Sequence, residues 1–467
     1  MTATQSTASS PSVMQSMKQN LGLKDYAGYG IGDMAINFTF ASLGMYVVYF
    51  YTDVVGVSAT IIGTLMLFSR SFDGVIDVCV GSLVDKTSSR WGKTRPWLLF
   101  GCVPLAILTA LLFAVPANVS DTVKVVYIFV SYNLLMVAFS SIAIPYGTLN
   151  SLVTQDQGQR EKFNLARMFL AQIGVLIVTN LTLPLVNAFG NKQSSWVWTY
   201  AILAAIGVVL LLIVFKTQRE RVQQPHKEKI PLSISLKALA QNKYWFLAFG
   251  FFVVWSVMYA LTQGSLVYYA KYILNDAGYV GVLSIGYLAP CMVMLVVCAK
   301  LYEKYGKTRV LLAASVVSII GYALPMLMPS SFGFIMFTQI VKGIGYGPML
   351  GAVWALFPDT IEYGYAKTGV RNEGLLYSGG SLGQKIGVGV GTALTGWVLG
   401  WGGYDGTKAE QSASAINSIY QIYVWIPIAL FVVSIVILCF YDIDKKYAEI
   451  MEGVARRNAE NKEAKEA

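Results

Sequence analysis

Charge is what this sequence has least of. Only 13% of its 467 residues are Asp, Glu, Lys or Arg, about half the share of a soluble domain. That deficit excludes an ordinary soluble protein, and more firmly a disordered chain, which is polar and charge-rich. Histidine occurs once, at position 226, so neither a two-His metal motif nor a nucleophile–base pair built on a membrane-embedded His is available. The five cysteines (79, 102, 291, 298 and 439) all fall in apolar runs, which predicts packed free thiols and no disulfide framework. Residues 1–24 are rich in Ser, Thr and Gln and lack an apolar core of about 7–15 residues, so they read as a disordered tail and not a cleaved signal peptide.

Apolar and aromatic residues make up 55% of the chain. They gather in twelve runs, roughly 29–51, 57–82, 97–115, 123–147, 165–189, 196–216, 244–270, 278–299, 309–328, 333–356, 374–400 and 419–441, each about as long as a bilayer-crossing helix requires. The expectation is an all-α membrane protein with twelve transmembrane helices in two six-helix bundles, 25–216 and 244–441. A charged linker, 217–243, joins them, and a tail, 442–467, follows. The partner this implies is the lipid bilayer. The formal charge of +10 then reads as loop Lys and Arg and not as nucleic-acid binding. The tails and the loops after even-numbered spans hold 28 of the 35 basic residues, the loops after odd-numbered spans only 4. The positive-inside rule puts both termini in the cytoplasm.

The two halves share one diagnostic corner. Arg90-Trp91-Gly92-Lys93-Thr94-Arg95 follows span 2, and Lys304-Tyr305-Gly306-Lys307-Thr308-Arg309 follows span 8. The Gly-Lys-Thr-Arg string returns 214 residues on, as a six-plus-six parallel repeat predicts; chance recurrence of basic loop residues is the bland alternative. Thr87 and Leu301 stand where a phosphate-binding loop needs its leading Gly, so neither copy binds ATP and no cofactor is expected.

Ionisable groups at bilayer depth cost about 2.5–3.5 kcal/mol each and mark candidate sites. Asp33, Asp73 and Asp77 are the acids within the predicted spans. Asp73 and Asp77 are one helical turn apart on one face of span 2, and Arg70 lies a turn earlier. Two stacked carboxylates share a proton or a cation more readily than both stay ionised and alone. An Arg70–Asp ion pair would account for one carboxylate and leave the other. Lys385 lies midway along span 11 among glycines and Lys342 within span 10, the latter either at mid-depth or snorkelling from a helix end. Arg167 opens span 5.

Several strings together carry a resemblance. They are Gly28-Tyr-Gly-Ile-Gly-Asp33, Tyr51-Thr-Asp-Val-Val-Gly56, Arg70-Ser-Phe-Asp73-Gly-Val-Ile-Asp77, Arg90-Trp-Gly-Lys-Thr-Arg-Pro96, Ile144-Pro-Tyr-Gly147, Asp359-Thr-Ile-Glu-Tyr-Gly364 and Gly369-Val-Arg-Asn-Glu373. Over about 25–445 the chain resembles the glycoside–pentoside–hexuronide:cation symporters, relatives of melibiose permease with the major facilitator superfamily fold. The glucuronide carriers look closer around Asp33 and Asn37. The resemblance implies a sugar or uronide importer of the bacterial inner membrane, with Asp73, Asp77 and Ser140 as cation ligands and Arg167 and Lys385 as sugar- or coupling-site cations.

Three positions depart from melibiose permease. Ile76 replaces an amide that helps ligate Na⁺ there, and Asn37 and Ala143 replace its sugar-gripping acids. Losing the amide oxygen favours H⁺ over Na⁺ as coupling ion. Losing two acids while keeping Arg167 and Lys385 favours a substrate that brings its own carboxylate, more so if Lys342 also faces the cavity. A neutral glycoside fits equally if those cations serve only to offset Asp73 and Asp77. The expected substrate site comprises Asp33, Asn37, Arg167, Lys342, Lys385 and Trp354, with Trp354 either a stacking surface or core packing. Asp85, Arg90, Lys93 and Arg95 after span 2, with Asp359, Glu362, Arg371 and Glu373 after span 10, are expected to gate the cytoplasmic side or else only to fix topology. An exporter on the same fold is the alternative within transport. A membrane enzyme lacks a catalytic cluster here, and a channel lacks a filter loop or charge rings.

Overall fold

The computed structural model describes residues 21–154, 157–221, 232–370 and 373–466. Most of the expected N-terminal tail and residues 222–231 of the linker lie outside them. Each expected span coincides with a helix. In the first half these are α1 (Leu23–Met45), α2 (Ala59–Lys86), α3 (Arg95–Leu111), α4 (Asp121–Val153), α5 (Gln157–Ala188) and α6 (Gln193–Thr217). In the second they are α7 (Lys243–Tyr272), α8 (Tyr279–Tyr305), α9 (Lys307–Ala323), α10 (Phe332–Ala352), α11 (Glu373–Trp401) and α12 (Ala413–Phe440). Two of them carry a π-helical turn: Phe50–Val54 continues α1 after a 49° bend, and Gln421–Trp425 interrupts α12. Among the described residues nine helices are long and apolar enough to cross a membrane, ten when bent α1 counts as one span. The other two are α3, 17 residues long, and α11, whose apolar run is diluted by glycine.

The outward and inward faces of α2 show why this packing forms. Phe68, Phe72, Val75 and Val78 are more than half exposed, whereas Ser69, Arg70 and Asp73 are buried. Apolar side chains on the outside and polar ones within are what lipid as solvent demands. α1 packs on α5 and α6, and α3 on α4 and α6; the second half repeats this with α7 on α11 and α12 and α9 on α10 and α12. The halves meet through α2 on α11, α5 on α8, and α1 on α7. The first two contacts are equivalents under the six-helix repeat, which makes this an all-α fold of two six-helix bundles.

The repeated Gly-Lys-Thr-Arg string has a local explanation. Glu220, just past α6, accepts the backbone N–H of Lys93 (2.8 Å), Thr94 (2.7 Å) and Arg95 (3.2 Å) and the Thr94 hydroxyl (2.7 Å). It thereby satisfies donors that the first turn of α3 would leave orphaned. In the second half Asp444, just past α12, accepts the Thr308 N–H at 2.7 Å. Gly92 and Gly306 lie at φ +104° and +82°, a region that glycine enters freely. A Cβ on Gly92 would stand 2.5 Å from the Glu220 carboxyl. Burial opposes ionisation of Glu220, yet these four bonds hold its carboxyl below the usual carboxylate range.

Three expectations shift. α5 begins at Gln157, so Arg167 sits ten residues inside it, about 15 Å along the axis, and not at its mouth. Cys79 and Cys439 lie exposed on the outer surface, while Cys102, Cys291 and Cys298 are buried. The C-terminal tail forms a helix, Ile443–Glu466, which buries Ile450 and Val454 and accepts a bond from Tyr365 on Asn458 (2.9 Å).

Candidate functional site

A cavity of about 390 Å³ lies where α1, α2, α4 and α5 face α11 and the residues after α10. Asp33, Asn37, Asp73, Asp77, Ser140, Arg167, Trp354 and Lys385, all expected there, line it. Ala143 lines it as well.

On its α2 wall the two stacked carboxylates are bridged twice. Lys385 Nζ lies 3.1 Å from Asp73 Oδ2, donates to the Asp73 carbonyl (3.2 Å) and contacts Asp77 Oδ2 more closely still. An ammonium has three donors, and all three meet oxygens of α2. From the other side the Ser140 hydroxyl is 2.6 Å from Asp77 Oδ1 and 3.3 Å from Asp73 Oδ1. It carries one proton, so it serves one carboxylate at a time. Asp73 is 2% exposed and Asp77 26%, which makes Asp77 the acid that faces the cavity. Arg70 reaches Asp73 only at 3.8 Å. Its guanidinium stands instead over the Phe40 and Tyr132 rings at 5.7 and 5.8 Å. The simple Arg70–Asp ion pair is therefore not the main contact of either acid.

Opposite this cluster, Arg167 Nε donates to Asp33 Oδ2 at 2.8 Å. Tyr29 and Tyr146 stack at 4.6 Å and exchange hydroxyl-to-carbonyl bonds (3.0 and 2.8 Å) beside that pair. Asn37 Nδ2 donates to the Asp33 carbonyl (2.8 Å), which leaves its oxygen as an acceptor. Phe40 and Phe139 form an aromatic wall. Trp354 lines the cavity while its ring packs edgewise on Phe252 at 4.8 Å.

Lys342 is a correction. It is fully buried inside the second bundle, with Nζ 3.7 Å from the centroid of Tyr423 and 4.3 Å from that of Tyr322. It does not line the cavity. The two aromatic faces surround its Nζ, which pairs with no acid among the described residues, so neither snorkelling nor substrate contact describes it. Without Lys342 the cavity holds Asp33, Asp73 and Asp77 against Arg70, Arg167 and Lys385, a balanced set.

Two of the loop acids, Asp85 and Asp359, pair within their own halves. Lys93 binds Asp85 (2.6 Å), and Lys307 binds Asp359 (2.7 Å) and the Ala355 carbonyl (3.0 Å). Arg95 donates to the Phe215 carbonyl (2.6 Å), and Arg90 lies 4.1 Å over Trp91. Glu362 has a partner of its own. Arg371 lies outside the described residues, as does the side chain of Glu373.

A polar knot that the sequence did not reveal joins the halves at the face opposite the termini. Asp53, its side chain 1% exposed, accepts Lys271 Nζ (2.7 Å), the Tyr272 hydroxyl (2.9 Å), the Tyr404 hydroxyl (2.7 Å) and the Thr52 hydroxyl (2.7 Å). Thr52 also meets Tyr268 at 3.0 Å. Helices also approach closely along the seams between the halves: a Cβ on Gly396 would lie 2.4 Å from the Ala59 carbonyl, and one on Gly281 2.7 Å from the Asn180 side-chain oxygen. The end of the α2–α11 seam opposite the termini is thus closely packed. In sequence Asp53 reads as a loop acid because the first apolar run stops at 51; the bend and π turn carry the helix on to Val54.

Comparison with known proteins adds an independent line. Residues 28–445 match the family model described as MFS/sugar transport protein. The isoprimeverose transporter of Lactiplantibacillus pentosus is 34% identical over 440 residues, 92% of this chain and 91% of that protein. The glucuronide carrier protein homolog of Escherichia coli (strain K12) is 35% identical over 451 residues, 94% and 97%. Among solved structures, the D323A mutant of the nucleoside transporter NupG aligns at TM-score 0.64 with 14% identity, covering 88% of this chain and 99% of that one. A bacterial Spinster homolog in an inward-facing, occupied conformation aligns at 0.63 with 13% identity, covering 93% and 98%. These two likenesses speak to the fold alone.

Proposed function

Because the chain belongs to the MFS/sugar transport protein family, we propose that it imports an uncharged glycoside together with one proton by alternating access. It is a multi-pass membrane transporter and not an enzyme. The observation that carries the finer reading is the Asp73–Asp77–Ser140–Lys385 cluster on the wall of a cavity between the two halves.

Lys385 acts in the empty carrier as a built-in cation. An arriving ion must displace its ammonium from Asp77 or neutralise that carboxylate. A proton does the latter with no coordination shell, whereas Na⁺ requires several oxygens and finds Ile76 where one more would help. Protonated Asp77 releases Lys385 from one of its three bonds and frees a donor for a sugar hydroxyl. Asn37, which can donate and accept, and the Arg167 guanidinium offer further sugar contacts, and the Phe40–Phe139 wall suits a pyranose face. The lining holds three acids against three bases, so the cavity offers a substrate carboxylate no surplus of positive side chains. An anionic sugar would have to take Arg167 from Asp33. The positive surplus expected from sequence depended partly on Lys342, which lies elsewhere.

The bundles 25–216 and 244–441 act as the two rocking bodies, linked by 217–243 and followed by the tail 442–467. The Lys/Arg-rich face carrying the termini is cytoplasmic, in a bacterial inner membrane. The Asp53 knot then closes the outside, and the carrier stands inward-facing.

The test is uptake into proteoliposomes. A pH gradient, acid outside and free of Na⁺, should drive accumulation of a neutral glycoside with alkalinisation of the medium. Uptake driven by Na⁺ at constant pH without proton movement would refute the coupling ion. A hexuronide that outcompetes its neutral hexoside, matched in aglycone, would refute the substrate charge and leave the symporter intact.

A further inference from the structure

A second cavity, about 570 Å³, has no part in the sugar pathway. It is a crevice on the membrane-facing side between α3 and α4, lined chiefly by Trp97, Phe100, Pro104 and Leu108 of α3 and Leu134 and Val137 of α4. Phe100, Leu134 and Val137 are exposed, so the crevice opens sideways. It runs from Pro96 to Leu108, twelve residues or about 18 Å of helix. That is close to the hydrocarbon depth of one leaflet, about 15 Å of the roughly 30 Å core.

Its mouth lies at the face carrying the termini and is chemically distinct. Trp97 Nε1 donates to the Thr87 hydroxyl at 3.0 Å. The edge of Phe100 meets Trp91 at 5.7 Å, and the Arg90 guanidinium caps Trp91 at 4.1 Å. Aromatic rings therefore connect the floor of the crevice to a cation at headgroup level. Lys86 precedes Thr87. Both Arg90 and Lys86 are exposed, and neither pairs with an acid among the described residues. The neighbouring Lys93 differs, since Asp85 holds it. Two uncommitted cations above an apolar slot of one-leaflet length complement an anionic phospholipid.

We propose that this crevice is a specific site for an anionic phospholipid of the terminal-face leaflet, with one acyl chain in the slot and the phosphate at Arg90 and Lys86. The site bears on the cation cluster through α4. Val137 and Ser141 line the crevice, while Ser140 between them points the other way, to Asp77. A bound chain supports the wall that holds Ser140.

Native mass spectrometry of the full-length carrier, exchanged into either phosphatidylglycerol or phosphatidylcholine before detergent release, tests this. The parent should retain one phosphatidylglycerol several-fold more than phosphatidylcholine. Val137→Trp fills the slot from its exposed side and should abolish retention of both lipids, with the melting temperature of the delipidated protein unchanged. Lys86→Gln with Arg90→Gln should keep a bound lipid but lose the headgroup preference. Equal retention of the two lipids by the parent would overturn the proposal. So would Val137→Trp protein that retains phosphatidylglycerol as the parent does.

Discussion

Replacing Asp53 with Asn tests the outer seal, because the two side chains share a shape and differ in what they accept. The carboxylate serves Lys271, Tyr272, Tyr404 and Thr52 together. An amide keeps one oxygen and turns the other position into a donor, aimed at hydroxyls that themselves need acceptors. Bonds to a charged group contribute about 1.5–3 kcal/mol each, but they share one network and do not add. Lys271 is 30% exposed, so its share is screened. A loss of about 2 kcal/mol is a sound figure, and it falls only on the sealed state, since the knot bridges the two halves. At about 1.4 kcal/mol per tenfold, the equilibrium should move roughly 30-fold toward outward-open. Gln263, which faces Gly44 across the α1–α7 seam and is 5% exposed, reports on it. In a background with the five native cysteines replaced by serine, Gln263→Cys should react with an impermeant thiol reagent from outside. Asp53→Asn should speed that reaction by an order of magnitude or more, and Lys271→Gln by less. A rate within twofold of the parent in both variants would mean that the knot does not hold the seal.

Three further outcomes follow from the same contacts. Asp77→Asn should abolish accumulation in uptake assays yet leave sugar exchange measurable, and wild-type accumulation would remove Asp77 from coupling. Glu220→Gln should lower thermal stability at neutral pH, with a deficit that shrinks in acid. The Glu220 carboxyl is held below its ordinary range, so its contribution is full above the unfolded value of about 4.3 and fades as pH falls below that through the folded one; a deficit that stays constant as the pH is taken well below about 4.3 would contradict this. Gly92→Ala, which strains a φ of +104° and presses on Glu220, should cost about 1–3 kcal/mol, read as an earlier melt; an unchanged melt would show that the loop adapts.

The spans and their pairing by side were legible because lipid imposes length and apolarity on each helix separately. The cavity acids were legible because charge at depth is rare. Lys342 misled for the same reason: rarity marks a residue but does not say which way it points, and Tyr322 and Tyr423, which cage it, are distant in sequence and common in type. Asp53 was hidden by a boundary, since hydropathy cannot follow a helix through a bend. The partners of Gly92 and Gly306 could not be read because Glu220 and Asp444 arrive from the ends of other helices. The repeat was visible, but the carboxylates that give it a purpose were not.

The balance of three acids and three bases around the cavity has an electrical consequence. In the carrier proposed above, with all six side chains ionised, the unloaded centre would be neutral, so its return stroke would move no net charge and the membrane potential would neither help nor hinder it. In the proton-coupled reading proposed above, a bound proton would give that centre one positive charge, and a voltage of 100 mV would contribute about 2.3 kcal/mol to its passage. Hyperpolarisation then quickens delivery alone, until the voltage-blind return becomes the slow step. Such a carrier saturates with voltage as it does with sugar, and its current–voltage curve should flatten at strongly negative potentials.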